Sequence, residues 1–280
     1  MPETIIALVF DFDDTLTPDS TSMFLQMAGL DPRQFWEDQR ARIADGWDQV
    51  PAYMQMMIEE SEKLGGDSPY TRENFEKFGG QLKFFEGVTT LFSRLQEYVA
   101  NELNQASIEF YIISSGIETL IRGSKIARHF TDMWGSEFDY DAAGRIRAIK
   151  RVISFTDKTR YLYQISKGLV GPQYRKDPFR VNDYVKSYRV PFENIIFVGD
   201  GTTDIPCFSL LKKYNGTPIA VYDRHSREKW GKAHGFVEDP RVKHVTSANF
   251  KQDSGLSDAI LLSIDCIINR TRLQDVTYPG

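Results

Sequence analysis

The sequence predicts an α/β protein: a mostly parallel sheet flanked by helices, with a small helical bundle inserted after the first strand. Three observations carry that prediction. Short, continuous apolar runs of strand length recur along the chain, and helical stretches separate them. Residues 18–85 break the pattern, being poor in β-branched runs and rich in Met, Gln, Glu, Phe and Trp. The expected division is therefore a core domain of residues 1–17 and 86–280, and a helical insertion of residues 18–85.

The first run, Ile5-Ile6-Ala7-Leu8-Val9-Phe10, is apolar throughout and ends in a polar cluster. That suits a strand buried on both faces of a parallel sheet. Within the insertion, Met23, Phe24, Met27 and Leu30 recur at helical spacing, as do Met54, Met57 and Ile58. Pro32 and Pro51 fall where helices start, and Gly65-Gly66 and Gly79-Gly80 mark breaks. Further strands are expected at Phe110–Ile113, Ile195–Val198 and Ile219–Tyr222. Helices are expected near 88–100, 117–129, 157–167, 204–213 and 226–234. The stretch 168–190 is polar and basic and reads as a solvated connection with a short helix; a substrate-facing role is the lesser reading.

Composition narrows the function. The 280 residues carry 34 Lys+Arg against 39 Asp+Glu, a formal charge of −5. No basic footprint points to nucleic acid, and any anion site must be built locally. Two cysteines, Cys207 and Cys266, are too few for a metal knuckle or a disulfide framework. Both lie in apolar stretches and are expected to be buried free thiols. The N-terminus has no basic region and only a short apolar run, unlike a secretory signal. Ala259–Ile268, interrupted by Asp265, is too short to cross a bilayer. A soluble, cytoplasmic protein with no nucleic-acid or membrane partner is expected.

Four short motifs carry the chemistry. Asp11-Phe12-Asp13-Asp14-Thr15 follows the first strand, where ligands of parallel sheets bind. Two carboxylates at i, i+2 can face one pocket, although such a loop in isolation is more often a solvated acidic turn. Ser114-Ser115-Gly116 ends the next long strand, and hydroxyls with free N–H groups at such a turn cradle anions. Thr156 or Asp157 can N-cap the following helix. Lys158 in its first turn opposes the helix dipole, which makes sense if a phosphate sits there. Gly199-Asp200-Gly201-Thr202-Thr203-Asp204 adds two more carboxylates at a strand end. Asp11, Asp13, Asp200 and Asp204 are costly to gather unless a cation neutralises them, and hard oxygen ligands suit Mg²⁺. Each motif is modest alone, but their order and their placement at strand ends are not.

That conjunction resembles the haloacid dehalogenase-like superfamily, in particular its phosphatases with a helical cap such as phosphoserine phosphatase. The matching residues are DFDDT at 11–15, Ser114, Lys158 and GDGTTD at 199–204. They span the core, about 1–17 and 86–225; the cap is supported by position and composition only. A longer match around Arg189–Phe192 and Gly199–Phe208 looks like a bacterial branch of these hydrolases. The resemblance implies a Rossmann-like core and a Mg²⁺-dependent phosphatase acting through an aspartyl-phosphate. It implies Asp11 as nucleophile and Asp13 as general acid and then base. Asp11, the Asp13 backbone carbonyl, Asp200 and Asp204 would hold Mg²⁺. Ser114 (with Ser115 beside it) and Lys158 would hold the phosphoryl oxygens.

Asp13 sorts the chemistries within that superfamily. By the same resemblance, metal-free dehalogenases lack an acid there and ion-pumping ATPases carry Thr. A phosphotransferase or phosphomutase remains the alternative, and a non-catalytic phosphate-ligand-binding protein a remote one. The long interval between Asp11 and Ser114 holds the helical lid, which favours a small phosphorylated metabolite over a folded phosphoprotein. Trp36, Trp47, Tyr53 and the cap methionines are expected in the bundle core rather than on a pocket wall. Arg40 and Arg42 are expected at the solvated surface. Arg122, one helix after Ser114, is a weak candidate for the site. His129, His225, His234 and His244 show no metal-ligand spacing and are expected to be structural or surface residues.

Overall fold

The computed structural model describes residues 4–224, 231, 242 and 244–277. Seven strands form one sheet in the order β4-β3-β2-β1-β5-β6-β7. They are β1 (Thr4–Phe10), β2 (Ala106–Ile117), β3 (Asp132–Tyr140), β4 (Ile146–Arg151), β5 (Ile195–Gly199), β6 (Thr217–Tyr222) and β7 (His244–Ser247). All neighbours run parallel except β3 and β4, which form an antiparallel edge hairpin.

β1 is central. It pairs with β2 from Thr4↔Ala106 to Phe10↔Ile112 and with β5 from Ala7↔Ile195 to Phe10↔Val198. Its side chains alternate between two apolar clusters, as a strand period of two requires. Ile6, Leu8 and Phe10 join a cluster with α5 (Val88–Glu102) and α9 (Gly255–Thr277). Ile5, Ala7 and Val9 join the other, with α7 (Asp157–Lys167) and α8 (Ile205–Lys213). The continuous apolar run thus has both faces covered, as expected of a central parallel strand.

Between β1 and α5 lie α1 (Ser20–Met27), α2 (Pro32–Ala44), α3 (Gln49–Leu64) and α4 (Arg72–Gly79). Asp19 caps α1 by accepting from the Thr21 and Ser22 amides, and Asp31 caps α2 ahead of Pro32. Both are the start signals expected of these residue types. Phe24, Met54, Met57 and Phe75 from these helices belong to the same buried cluster as Ile6, Leu8 and Phe10. The Phe75 ring stacks on Phe138 of β3 at 6.1 Å.

Several expectations are corrected. The strand at 110–113 extends over 106–117, so Ser114–Gly116 continues it instead of following it. The helix expected at 117–129 is only α6 (Glu118–Gly123), because the chain turns extended at Ser124 before one 3-10 turn at Ala127–His129. Cys266 is exposed, on the outer side of α9, while Cys207 is buried. The spacing of apolar residues in α9 hid this, since that helix is apolar on more than one face. The helix expected at 226–234, with His225 and His234, lies outside the described residues. His129 stacks on Phe92.

The 168–190 stretch is mostly exposed and contains two 3-10 turns. It is anchored by Arg175, which bonds Glu118 and Asp132. Arg122 spends its guanidinium on the same two acids and the Met133 carbonyl. Burial alone would raise Glu118, but Arg151, Arg175 and Arg122 together hold it below the usual range. Arg42 pairs with Glu59. Among the described residues, no helix is long and apolar enough to cross a membrane.

Candidate active site

The carboxyl ends of β1, β2 and β5 converge on a cleft of about 190 Å³. The crevice lies between β1 and β5, whose outgoing chains pass to opposite faces of the sheet through α5 and α8, the position that favours ligand binding in open α/β folds. Asp11, Asp13, Ser114, Ser115 and Asp200 all line it. None of residues 168–190 does, nor Arg40, Arg42 or Arg122.

Asp11 directly follows β1, and its amide donates to the Val198 carbonyl of β5 at 2.9 Å. Its Oδ1 accepts from the Phe12 amide at 2.6 Å, and its Oδ2 from Lys158 Nζ at 2.7 Å. The chain then bends sharply through Asp14, whose φ of 57° is in the left-handed region. Asp tolerates that conformation better than most residues. The bend brings Asp13 back over the cleft, where its Oδ1 accepts from the Ser20 amide at 2.8 Å.

Asp13 is held well above the ordinary carboxyl range. Burial is the main cause, and Asp19 adds to it; Ser20 opposes, and Asp11 adds a smaller push. This is the arrangement in which a carboxylic acid retains its proton as a donor. A Cβ on Gly116 would lie 2.3 Å from Asp13 Oδ2, so only glycine lets β2 pass this close.

Lys158 reaches in from the first turn of α7 and is wholly buried. Nζ bonds Asp11 Oδ2 at 2.7 Å and Asp204 Oδ1 at 2.6 Å. Burial alone would lower the lysine, but the two carboxylates outweigh it and hold the ammonium above its usual value. One ammonium between two buried carboxylates leaves an excess negative charge. Asp204 bears it: its carboxyl is raised to about 6, chiefly by burial, with Lys158 opposing the rise and Asp11 adding to it. Asp204 Oδ2 also accepts from the Gly201 amide at 2.9 Å. Gly199 leaves the room, since a Cβ there would sit 2.4 Å from that oxygen.

Asp11, Asp200 and Asp204 each offer a carboxylate oxygen, all within 4.8 Å of one another. Three convergent carboxylates of this kind suit a hard divalent cation and fit Mg²⁺. Thr156 sits at the N-cap of α7 but makes no side-chain cap bond.

At β2, Ser114 is buried and its Oγ accepts from the Gly116 amide at 3.0 Å. The Ser115 carbonyl accepts from the Tyr53 hydroxyl at 2.8 Å and from Ser136 Oγ at 3.1 Å. The Ser115 hydroxyl is buried without a partner, an unspent donor beside the cleft.

Two wall residues depart from the sequence reading, and a third was not foreseen in it. Trp36 and Tyr53 line the cleft instead of serving only as bundle core, and Asp19 lines it too. Trp47 is exposed. Trp36 Nε1 donates to Ser22 Oγ at 2.6 Å, and Ser22 Oγ donates to Asp19 Oδ2 at 2.5 Å. The Trp36 and Tyr53 rings meet edge to face at 5.9 Å. An Asp just ahead of the helical spacing of Met23 and Phe24 is the N-cap signal that could have found Asp19. The aromatic pair had no signal, because helical periodicity does not separate a core-facing from a cleft-facing ring.

The match to known proteins agrees with this geometry. The family model for haloacid dehalogenase-like hydrolases matches residues 8–209. An uncharacterised protein of Borreliella burgdorferi is 31% identical over 296 aligned positions, covering 94% of this chain and 97% of that one. The fold is similar to that of a HAD family hydrolase from Salmonella enterica serovar Typhi, with a TM-score of 0.58 at 14% identity, over 88% of this chain and 67% of that one. It is also similar to that of a phosphoserine phosphatase solved as a phospho-aspartyl intermediate analogue, with a TM-score of 0.55 at 13% identity, over 93% of this chain and 99% of that one. The chain belongs to the haloacid dehalogenase-like hydrolase family.

Proposed function

We propose that the protein is a Mg²⁺-dependent phosphatase that hydrolyses a small phosphorylated metabolite through an aspartyl-phosphate on Asp11. The observation that carries this reading is the pairing of Asp11 with Asp13: one carboxylate held by Lys158, the other pushed toward its protonated form. Asp11 Oδ attacks phosphorus while Asp13 gives its proton to the departing alkoxide. Asp13, now a carboxylate, takes a proton from water, which attacks phosphorus and releases Asp11. Splitting the hydrolysis in two avoids one difficult step, and the rest is positioning and charge neutralisation.

Asp11, Asp200, Asp204 and the Asp13 carbonyl would hold Mg²⁺, which supplies positive charge against the repulsion between Asp11 and an anionic substrate. Ser114 and the unspent Ser115 hydroxyl are suited to the phosphoryl oxygens. Lys158, wholly buried behind Asp11 and bonded to Asp11 and Asp204, would support the phosphoryl group by its positive charge. Helices α1–α4 act as the cap: their Trp36 and Tyr53 wall the cleft and limit it to small substrates.

The test is hydrolysis of para-nitrophenyl phosphate with Mg²⁺, with EDTA, and with Asp11→Asn. Turnover should need metal and fall by several orders of magnitude in the variant, while a phosphate analogue still binds. Equal loss of binding and turnover would remove Asp11 from the nucleophile role. Transfer to an added alcohol in place of water would favour a phosphotransferase.

A further inference from the structure

We propose that α9 is a homodimerisation helix, pairing antiparallel with α9 of a second copy of this chain. Its inner face, Leu256, Ile260, Ile264, Ile267 and Ile268, is buried against the sheet. The opposite face should be charged in a helix that only covers a core. Instead, Leu262, Cys266, Asn269, Leu273 and Val276 follow one another at intervals of four, three, four and three, the spacing of a coiled-coil seam. All five are exposed, with Leu262 and Leu273 at 64% and Val276 at 78%. No charged residue falls on this line anywhere in the helix.

The seam is complementary to itself in one register. An antiparallel copy related by a two-fold axis between residues 267 and 268 sets Leu262 against Leu273 of the second copy. The same register sets Cys266 against Asn269 and Ala259 against Val276. Apolar groups then meet apolar groups on both sides of a small polar centre, where Asn269 fixes the alignment.

The flanking charges agree. Asp258 and Asp265 lie on one edge in the amino-terminal part of the helix, and Arg272 lies on that edge near its end. Antiparallel pairing brings Asp265 of each chain beside Arg272 of the other, which within its own chain bonds Glu102 and Asn269. Asp265 Oδ1 accepts from Tyr98 at 2.6 Å, so its other oxygen remains available. At about 34 Å, the helix is long enough for three heptads.

The experiment is sedimentation equilibrium of the full chain across micromolar concentrations, with wild type, Leu262→Glu/Leu273→Glu and Cys266→Ser. Wild type should reach the dimer mass, the double Glu variant should stay monomeric, and Cys266→Ser should remain dimeric. Because the two leucines are exposed, far-ultraviolet circular dichroism of the double variant should match wild type. A short bifunctional maleimide should link wild type into a covalent dimer but not Cys266→Ser, since Cys207 is buried. A wild type that stays monomeric throughout, or a folded double variant that still dimerises, would overturn the proposal.

Discussion

The Tyr53 hydroxyl donates to the Ser115 carbonyl at 2.8 Å, joining α3 of the helical insertion to the end of β2. Both residues line the cleft, so the bond fixes an aromatic ring on its wall. Burial, with Asp13 nearby, raises the phenol, so it stays a donor at all ordinary pH. Tyr53→Phe should therefore keep the fold, at a cost of about 1 kcal/mol, because Ser136 still serves the same carbonyl. Its effect should appear in turnover of cap-bound substrates more than of para-nitrophenyl phosphate. Unchanged kinetics on every ester would show that this contact is purely structural.

Lys158→Met removes the cation between Asp11 and Asp204. Two buried carboxylates are then left facing each other, and losing one partner of a buried ion pair costs about 3–5 kcal/mol. Urea denaturation in EDTA should read that loss. The lysine's folded pKa lies above its ordinary 10.5, so its contribution is complete at neutral pH and disappears only in strong alkali. A large part of the deficit in the variant should return with Mg²⁺, which binds the folded state alone.

Asp13 follows the same sign but in a lower pH window. Its folded pKa lies well above the ordinary 3.8, so the folded chain binds more protons than the unfolded chain between those values. Stability from this group is present at low pH and is lost as pH rises through the folded pKa. Asp13→Asn should abolish turnover measured with Mg²⁺, yet in metal-free protein it should raise the urea midpoint, and the gain should be larger near neutrality than in acid. A variant less stable than wild type at neutral pH would mean that Asp13 is not a desolvated acid.

Gly116→Ala places a methyl group 2.3 Å from Asp13 Oδ2. The carboxyl must swing away, because the Ser20 amide bond fixes its other oxygen. Metal binding through Asp11, Asp200 and Asp204 should persist, while turnover drops at least about tenfold through loss of the positioned acid. Mg²⁺ titration followed by thermal shift, alongside steady-state kinetics, separates the two effects.

Much of this site was legible because its parts are local. Strand-end carboxylates such as Asp11 and Asp200 announce themselves by an apolar run followed by acids and glycine. Lys158 was legible as a misfit with its helix dipole, although its ammonium meets Asp11 and Asp204 rather than opening onto the cleft. What was hidden depends on tertiary contact. Neither Tyr53 nor Trp36 differs in spacing from the buried Met54 and Met57. Glu118 meets Arg122 on its own helix but also Arg151 and Arg175 from two other segments. Cys266 was misplaced because an apolar neighbourhood in sequence spans both faces of a helix.

The central position of β1 also governs how the chain is made. Ile5–Phe10 leaves the ribosome before either neighbour, and Ala106–Ile117 follows it about a hundred residues later. The neighbour on the other side, Ile195–Gly199, comes later still. At about 5–20 residues per second, the most apolar strand waits for seconds with both edges unpaired. The nascent chain is most open to aggregation in that interval, and pairing so distant in sequence slows the final assembly. A holdase that shields Ile5–Phe10 as it emerges should therefore raise the yield more than one that acts on the finished chain.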